Sequence, residues 1–377
     1  MPNNAVFDVA VGGRFHADYM VEALLEDGSA ANLYTTFPYT KFPTIPRERI
    51  HSHLISELVF RAGRFLPFEN KTNHLKMTSF GKWLALNLPT NEASHFIGWS
   101  SFALELLRKH RYATTILERD STHIVSQMKA LNDEYHRVGL PFEPDSFVVE
   151  RELEEYSLSH YLFVLSENAK QSFVDEGHDP SRIFVTPLGV DLKTFRPNFS
   201  RQRGRALKVI YFGALSVRKG IHTLLEATQG FKKSELELVL VGEIESGYDK
   251  ILRRYTHAMI LPSLSHTKLS ELAREMDVFA FPSIEDGFGQ TTVQAMASGL
   301  VSLVSSSAGS SDCIESGVDG FVLPPHDANP WQEKLRWAID HPNEISAIKK
   351  RAADKASQFS WKNYQHHLRH SLAALPK

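Results

Sequence analysis

The stretch at residues 277–299, "DVFAFPSIEDGFGQTTVQAMASG", carries the main fold signal of this chain. The apolar run "DVFAFPS" reads as a buried strand. Glu285, Asp286 and the turn Gly287-Phe288-Gly289 follow it, and "TTVQAMAS" reads as a helix stopped by Gly299. A strand, a glycine turn and a helix in that order make one half of a βαβ unit, which predicts a parallel sheet.

The same alternation runs in both directions from this point. Downstream of residue 206 the strand candidates are "LKVIYFG", "LELVLVG", "DVFAFPS" and "VSLVSS", separated by the helical patterns "GIHTLLEATQ", "TKLSELAREM" and "TTVQAMAS". Upstream, "VFDVAV", "ANLYTTF", "HFIGWS", "YATTILER", "YLFVLS" and "RIFVTPLG" read as strands. Between the halves, "FRPNFSRQRGRA" at residues 195–206 is basic and polar and can bury little. The expectation is α/β, with two doubly wound Rossmann-like domains facing a central cleft. The first spans residues 1–195, a linker 196–206, the second domain 207–360, and a terminal helix 361–377 packs back on the first. Open α/β sheets bind ligands at the carboxyl ends of their strands, so the cleft is the expected site.

Composition narrows the classes of function. With 42 basic and 44 acidic side chains the formal charge is -2, so no bulk attraction to nucleic acid is expected. The one cysteine, Cys313, has no partner within the chain, the N-terminus lacks a signal-peptide pattern, and no apolar run approaches the roughly 20 residues that cross a bilayer. Cytoplasmic residence is the expectation.

The turn suggests a chemistry. Glycines let backbone approach a ligand closely, and the unpaired N–H groups of a helix's first turn favour an anion. Glu285 and Asp286 would repel phosphate and suit sugar hydroxyls instead. Phosphate and sugar together point to a nucleotide sugar. The plainer alternative, in which Asp286 caps the helix and the glycines only turn the chain, stands beside it. A second loop, in "VIYFGALSVRKGIHTLLEA", follows a strand ending at Gly213 and carries Arg218 and Lys219 ahead of a helix. A lysine there is placed to act on a diphosphate, and equally to be a surface lysine.

The set "FGALSVRKG", "PSIEDGFGQTTVQAMASG" and "SSAGSSDCIESGVDGFVLPPHD" resembles the C-terminal domain of retaining glycosyltransferases of family 4, group 1 type, which have the GT-B architecture. "VTPLGVDLKTFRP" is similar to that family's hinge-proximal segment, and "ILERDSTHIVSQMKALNDEYHRVG" to an acceptor-side element of some members. The resemblance implies that Lys219 neutralises the donor diphosphate, and Arg218 beside it is placed to supply a second cation. It also implies that the backbone of Gly287, Phe288, Gly289 and Gln290 binds phosphate, with Gly213 and Thr291 nearby, and that Glu285 and Asp286 meet the sugar. Asp286 takes the first position of an E-x7-E motif. Two departures stand out: the second acid, which holds ribose hydroxyls, is Gln294, and an arginine expected after Gly213 is Ala214. Glutamine keeps a hydrogen bond to a diol and loses the charge-assisted one.

In the first half, "VAVGGRFHADYM" is not the G-x-G-x-x-G of a dinucleotide site. By the resemblance its loop faces the cleft, with Gly13 near the leaving phosphate and Arg14 and His16 near the acceptor; a tight turn with a surface histidine is the alternative. "TTILERDSTHIV" offers Glu118 and Ser121 to the acceptor and Arg119 and His123 as catalytic groups beside Lys219 and Asp286, with Ser121 also a helix cap. The expected activity is metal-independent, cofactor-free, retaining transfer of a sugar from a nucleoside diphosphate, UDP or GDP, to a hydroxyl of a glycan or lipid-linked acceptor, as in cell-surface polysaccharide synthesis. A nucleotide-sugar epimerase or phosphorylase, or a non-catalytic GT-B scaffold, are the alternatives. The basic segment at residues 41–82, including Arg61, Arg64 and Lys76, is expected either to touch an anionic membrane or to be a solvated face.

Overall fold

Parallel strands need a crossover to bring the chain back, and helices supply it on both faces of each sheet. A computed structural model describes residues 5–63, 69–88, 91–109, 111–200, 204 and 206–375. Its first unit runs β1 (Val6–Val11), α1 (Ala17–Glu26), β2 (Ala30–Thr35), β3 (Ile50–Ser52), α2 (Leu54–Gly63), α3 (Glu69–Asn87), β4 (Asn91–Trp99), α4 (Leu104–Lys109), β5 (Tyr112–Arg119), α5 (Ile124–Arg137), α6 (Ser146–Leu158), β6 (Tyr161–Val164), α7 (Glu167–Asp175) and β7 (Ile183–Val185). The second runs β8 (Leu207–Phe212), α8 (Ile221–Thr228), β9 (Leu236–Val241), α9 (Asp249–Leu252), β10 (Met259–Leu261), α10 (His266–Ala273), β11 (Val278–Phe281), α11 (Gln290–Ala297), β12 (Val301–Ser305), β13 (Gly320–Leu323), α12 (Ala328–Asp340) and α13 (Pro342–Ala356); α14 (Trp361–Ala373) follows.

All strand pairs are parallel, in the orders β3-β2-β1-β4-β5-β6-β7 and β10-β9-β8-β11-β12-β13. The order in which strands are added across the sheet reverses at β1/β4 in one and β8/β11 in the other, and these switch points open crevices for ligand. Alternation along β1 shows why the sheets are buried on both faces: Phe7, Val9 and Val11 pack into one apolar cluster, Ala10 into another.

The expected strand "RIFVTPLG" stops at Val185, two residues before Pro187, which has no N–H for the ladder. The short strands β3, β10 and β13 carry too few alternations to be seen in sequence.

The last helix crosses back over the first unit. Tyr364, Leu368 and Leu372 of α14 join the apolar cluster of β1 and α1, and Trp361 stacks flat on Tyr19 with 3.7 Å between ring centroids. Arg64 and residues 201–203 and 205 of the expected basic patch and linker lie outside the described residues. Among the described residues no helix is long and apolar enough to cross a membrane.

Candidate functional site

Because β8 and β11 are neighbours, the loops after them lie side by side. Ile284 N–H donates to the Arg218 carbonyl at 2.9 Å, and a Cβ on Gly220, whose φ is +63°, would meet the Pro282 carbonyl oxygen at 1.9 Å. Only glycine allows that approach. The helix α11 starts from Gly289 at φ +82°, and not from an Asp286 cap: Asp286 Oδ1 instead accepts from Phe288 N–H at 3.1 Å within the turn. Its other oxygen receives the Lys219 ammonium.

Two cavities meet at the first turn of α11. One, of about 400 Å³, lies at the ends of β8 and β9 and is lined by Gly213, Ala214, Gln290, Thr291 and Gln294, together with Glu243, Ser263 and His266. The other, of about 300 Å³, lies between the two units and is lined by Phe15, His16, Asp120 and Trp361 on one side and Asp286, Phe288, Gly289 and Gln290 on the other. Gln290 borders both, and its side-chain amide donates to the Gly189 carbonyl at 2.8 Å.

The two units are pressed together around these cavities. A Cβ on Gly287 would stand 2.3 Å from the backbone oxygen of Asp120, and the Gly287 carbonyl accepts from Ser166 at 2.6 Å. Gly287→Ala is therefore expected to force the units apart. Small-angle scattering should show an increased radius of gyration, with a lower melting temperature; an unchanged scattering curve would contradict the contact.

Several expected site residues are placed elsewhere. Glu285 turns away from the cavity at Asp286 into the inter-unit contact, where its carboxylate accepts from Arg218 Nε at 2.9 Å, the Thr122 amide and hydroxyl at 2.9 Å each, and Gln127 at 2.8 Å. Burial pushes its pKa up, but Arg218, the Thr122 amide, Arg119 and Gln127 outweigh that and hold it at about 2. Arg218, expected on the diphosphate, is spent on Glu285 and on the Ser121 hydroxyl at 2.7 Å. Ser121 does not cap α5; His123 does, accepting from Val125 N–H at 3.3 Å. The His123 ring packs among Tyr156, Phe173 and His178, away from the cleft, and burial, then His178 and Arg119, lower its pKa to about 4. Arg119 binds Gln127 at 2.7 Å and Glu152 at 3.2 Å, tying β5 to α5 and α6 rather than reaching a substrate. The Gly13 carbonyl accepts from Thr35 at 2.7 Å and Arg14 pairs with Asp18 at 2.9 Å, so neither reaches the cavities. Glu118 is fully buried behind His16.

Sequence reasoning missed Glu243, Ser263, His266 and Trp361, and placed Asp120 in the polar end of its strand without assigning it to the site. Glu243 had a readable signal, since it follows the strand-end Gly242 as Ala214 follows Gly213. Ser263 and His266 follow a three-residue strand and had none.

Comparison with solved structures decides the fold. The sucrose-phosphate synthase of Thermosynechococcus elongatus superposes at a TM-score of 0.75 with 16% identity, covering 99% of this chain and 100% of that one. The chain has the GT-B fold. Anabaena HepE, solved in complex with UDP-glucose, superposes at 0.66 with 15% identity over 98% of this chain and 100% of that one. Residues 194–355 match the family model "Glycosyl transferases group 1". In sequence, the D-inositol 3-phosphate glycosyltransferase of Mycobacterium tuberculosis is 27% identical over 292 residues, 72% of this chain and 58% of that protein. The chain thus spans somewhat over half the length of the curated relatives it matches.

Proposed function

We propose that this GT-B protein transfers a sugar from a nucleoside diphosphate to a hydroxyl of a glycan or lipid-linked acceptor, with retention at the anomeric carbon. The observation that carries the reading is the pair of cavities joined at the first turn of α11. A nucleoside fits the larger one, with Gln294 on the ribose. The diphosphate lies over Gln290 and Thr291 at the helix N-terminus, where backbone N–H groups and the helix dipole favour negative charge. The sugar enters the inter-unit cavity, where Asp286 accepts its hydroxyls. Lys219 exchanges its bond to Asp286 for the diphosphate and neutralises the leaving charge; no metal is needed to bridge the phosphates. In a retaining transfer the bond from the anomeric carbon to the diphosphate breaks as the acceptor oxygen bonds on the same face, and the acceptor proton passes to the leaving diphosphate.

UDP is the favoured carrier, supported by the UDP-glucose complex of the GT-B relative HepE. A thermal-shift titration with UDP, GDP, ADP and their sugar conjugates is expected to give a saturable rise for one base, larger with its sugar attached. No shift with any of them would remove the donor site and favour the non-catalytic scaffold. Turnover of the nucleotide sugar without an acceptor would favour the epimerase or, with inorganic phosphate, the phosphorylase.

We place the enzyme in the cytoplasm at the inner membrane face. On α2, Leu54, Ile55 and Leu58 are exposed beside Arg61, which is paired with Glu57 at 2.7 Å; the exposed apolar side chains suit a lipid surface, with Arg61 able to exchange Glu57 for an anionic headgroup. Co-sedimentation with phosphatidylglycerol vesicles is expected, and Ile55→Ser with Leu58→Ser should abolish it; equal sedimentation of wild type and variant would remove the membrane contact.

A further inference from the structure

Two residues lining the inter-unit cavity, His16 and Asp120, converge with the buried Glu118. A ring nitrogen of His16, a carboxylate oxygen of Glu118 and one of Asp120 all lie within 4.8 Å of one another, and His16 Nε2 is 3.3 Å from Glu118 Oε1. His16 is 4% exposed and Glu118 0%. Neither Glu118 oxygen, nor Asp120 Oδ1, nor His16 Nε2 makes a hydrogen bond. A buried polar atom left unpaired costs about 1–3 kcal/mol, so unpaired atoms on three side chains that converge imply a shared partner.

The nearby cations are engaged with other groups. Arg119 faces Gln127 and Glu152, Arg14 is paired with Asp18, Arg218 with Glu285, and Lys219 with Asp286 across the cavity. The three side chains are meanwhile held in place. Asp120 Oδ2 accepts from Trp99 Nε1 at 3.1 Å while Oδ1 is unpaired, and the His16 ring stands edge-on to both Trp99 and Tyr364, at 5.1 and 5.4 Å.

We propose that His16, Glu118 and Asp120 bind one divalent transition-metal ion, of the Mn²⁺ or Zn²⁺ kind, with its remaining positions open to the inter-unit cavity. One imidazole nitrogen and two carboxylates suit these ions better than Mg²⁺, which keeps its waters and favours oxygen. Ligands about 2.1 Å from such an ion stand roughly 3.0–3.4 Å apart; the His16–Glu118 pair, at 3.3 Å, has that spacing, and the rest of the cluster, within 4.8 Å, closes onto the ion by side-chain rotation. Burial raises the pKa of Glu118 well above the usual carboxylate range and lowers that of His16. A cation offsets the first effect, and a neutral imidazole is the form that ligates. The open positions face Asp286 and the start of α11 from the opposite wall, where an acceptor oxygen would enter. That role, though not the binding itself, rests on the glycosyl-transfer reading.

The test uses the full chain stripped with a chelator and dialysed against Mn²⁺ or Zn²⁺, with bound Mn²⁺ read by loss of the free-ion paramagnetic resonance signal and Zn²⁺ by mass spectrometry. One equivalent is expected per chain, with a rise in melting temperature. Glu118→Gln and Asp120→Asn should each remove it, and Trp99→Phe, which frees the orienting bond on Asp120, should weaken it roughly 10–100-fold. No stoichiometric uptake by wild type, or uptake that Glu118→Gln and Asp120→Asn leave unchanged while both remain folded by circular dichroism, would overturn the site. UDP binding measured on the stripped protein separates the two readings: its loss from wild type would sink the donor site and leave metal uptake standing.

Discussion

Lys219→Ala is expected to weaken nucleoside-diphosphate affinity by roughly 10–100-fold, the worth of one charge-assisted hydrogen bond of about 1.5–3 kcal/mol. The loss has two components. Removing the ammonium takes away the cation at the diphosphate, and it also leaves Asp286, now without its ion-pair partner, beside the phosphates. The double variant Lys219→Ala with Asp286→Ala should therefore recover part of the affinity for UDP, because the repulsion is gone. It should recover no sugar transfer, because Asp286 is the group assigned to the sugar hydroxyls. A double-mutant cycle by calorimetry resolves the two components. Affinity and transfer both unchanged in Lys219→Ala would defeat the proposed donor site at its centre.

Glu285→Ala should act on the joint between the two units. It leaves Arg218 against Ser121 without its ion-pair partner; because the Arg218 side chain is 34% exposed, solvent screens part of the loss, and the cost should fall below the about 3–5 kcal/mol of breaking a fully buried pair. The pH dependence carries a distinct signature. The Glu285 pKa is depressed from 4.5 to about 2 in the folded state, so its contribution is fully present above about pH 4.5 and is lost as the pH falls towards 2. Glu134, on α5, behaves alike: burial raises its pKa, but the hydrogen bonds from His222 and Arg137 prevail and bring it to about 2. Glu155 has the opposite sign. Burial raises its pKa to about 8 against the pull of Arg151, so the stability it confers is full below its ordinary 4.5 and fades as pH rises through 8. Wild type should thus lose stability on both sides of mild acidity. The gap between wild type and Glu285→Ala in denaturant unfolding should be wide at pH 7 and should narrow by pH 3. An equal gap at the two values would show that the carboxylate's charge contributes nothing to the joint.

The GT-B pattern was legible because its signals are local. Strand and helix periods, the polar break at residues 195–206, the glycines of the turn and the strand-end position of Lys219 are each set by neighbours a few residues away. Site residues on those turns, such as Asp286, Gly289, Gln290 and Gln294, accordingly line the cavities. The departures from expectation gathered where one unit meets the other. Glu285 and Asp286 are adjacent and chemically alike, yet one serves the joint and the other the cavity. The choice is made by the Thr122 amide, which stands 163 residues away in the chain. His123 and Arg119 were read as cleft groups from a strand-end position that is common to both fates. Their actual partners, Phe173, His178 and Glu152, come from α6, α7 and the loop beyond it.

By itself, the sequence determined two parallel α/β units and the two turns that converge on an anion-favouring helix start, since hydrophobic periodicity and glycine placement act at short range. Only the tertiary structure decided which charged side chains are consumed in holding the units together and which face the cavities. A buried charge is placed by whatever partner the opposite surface presents, and that partner has no fixed distance along the chain.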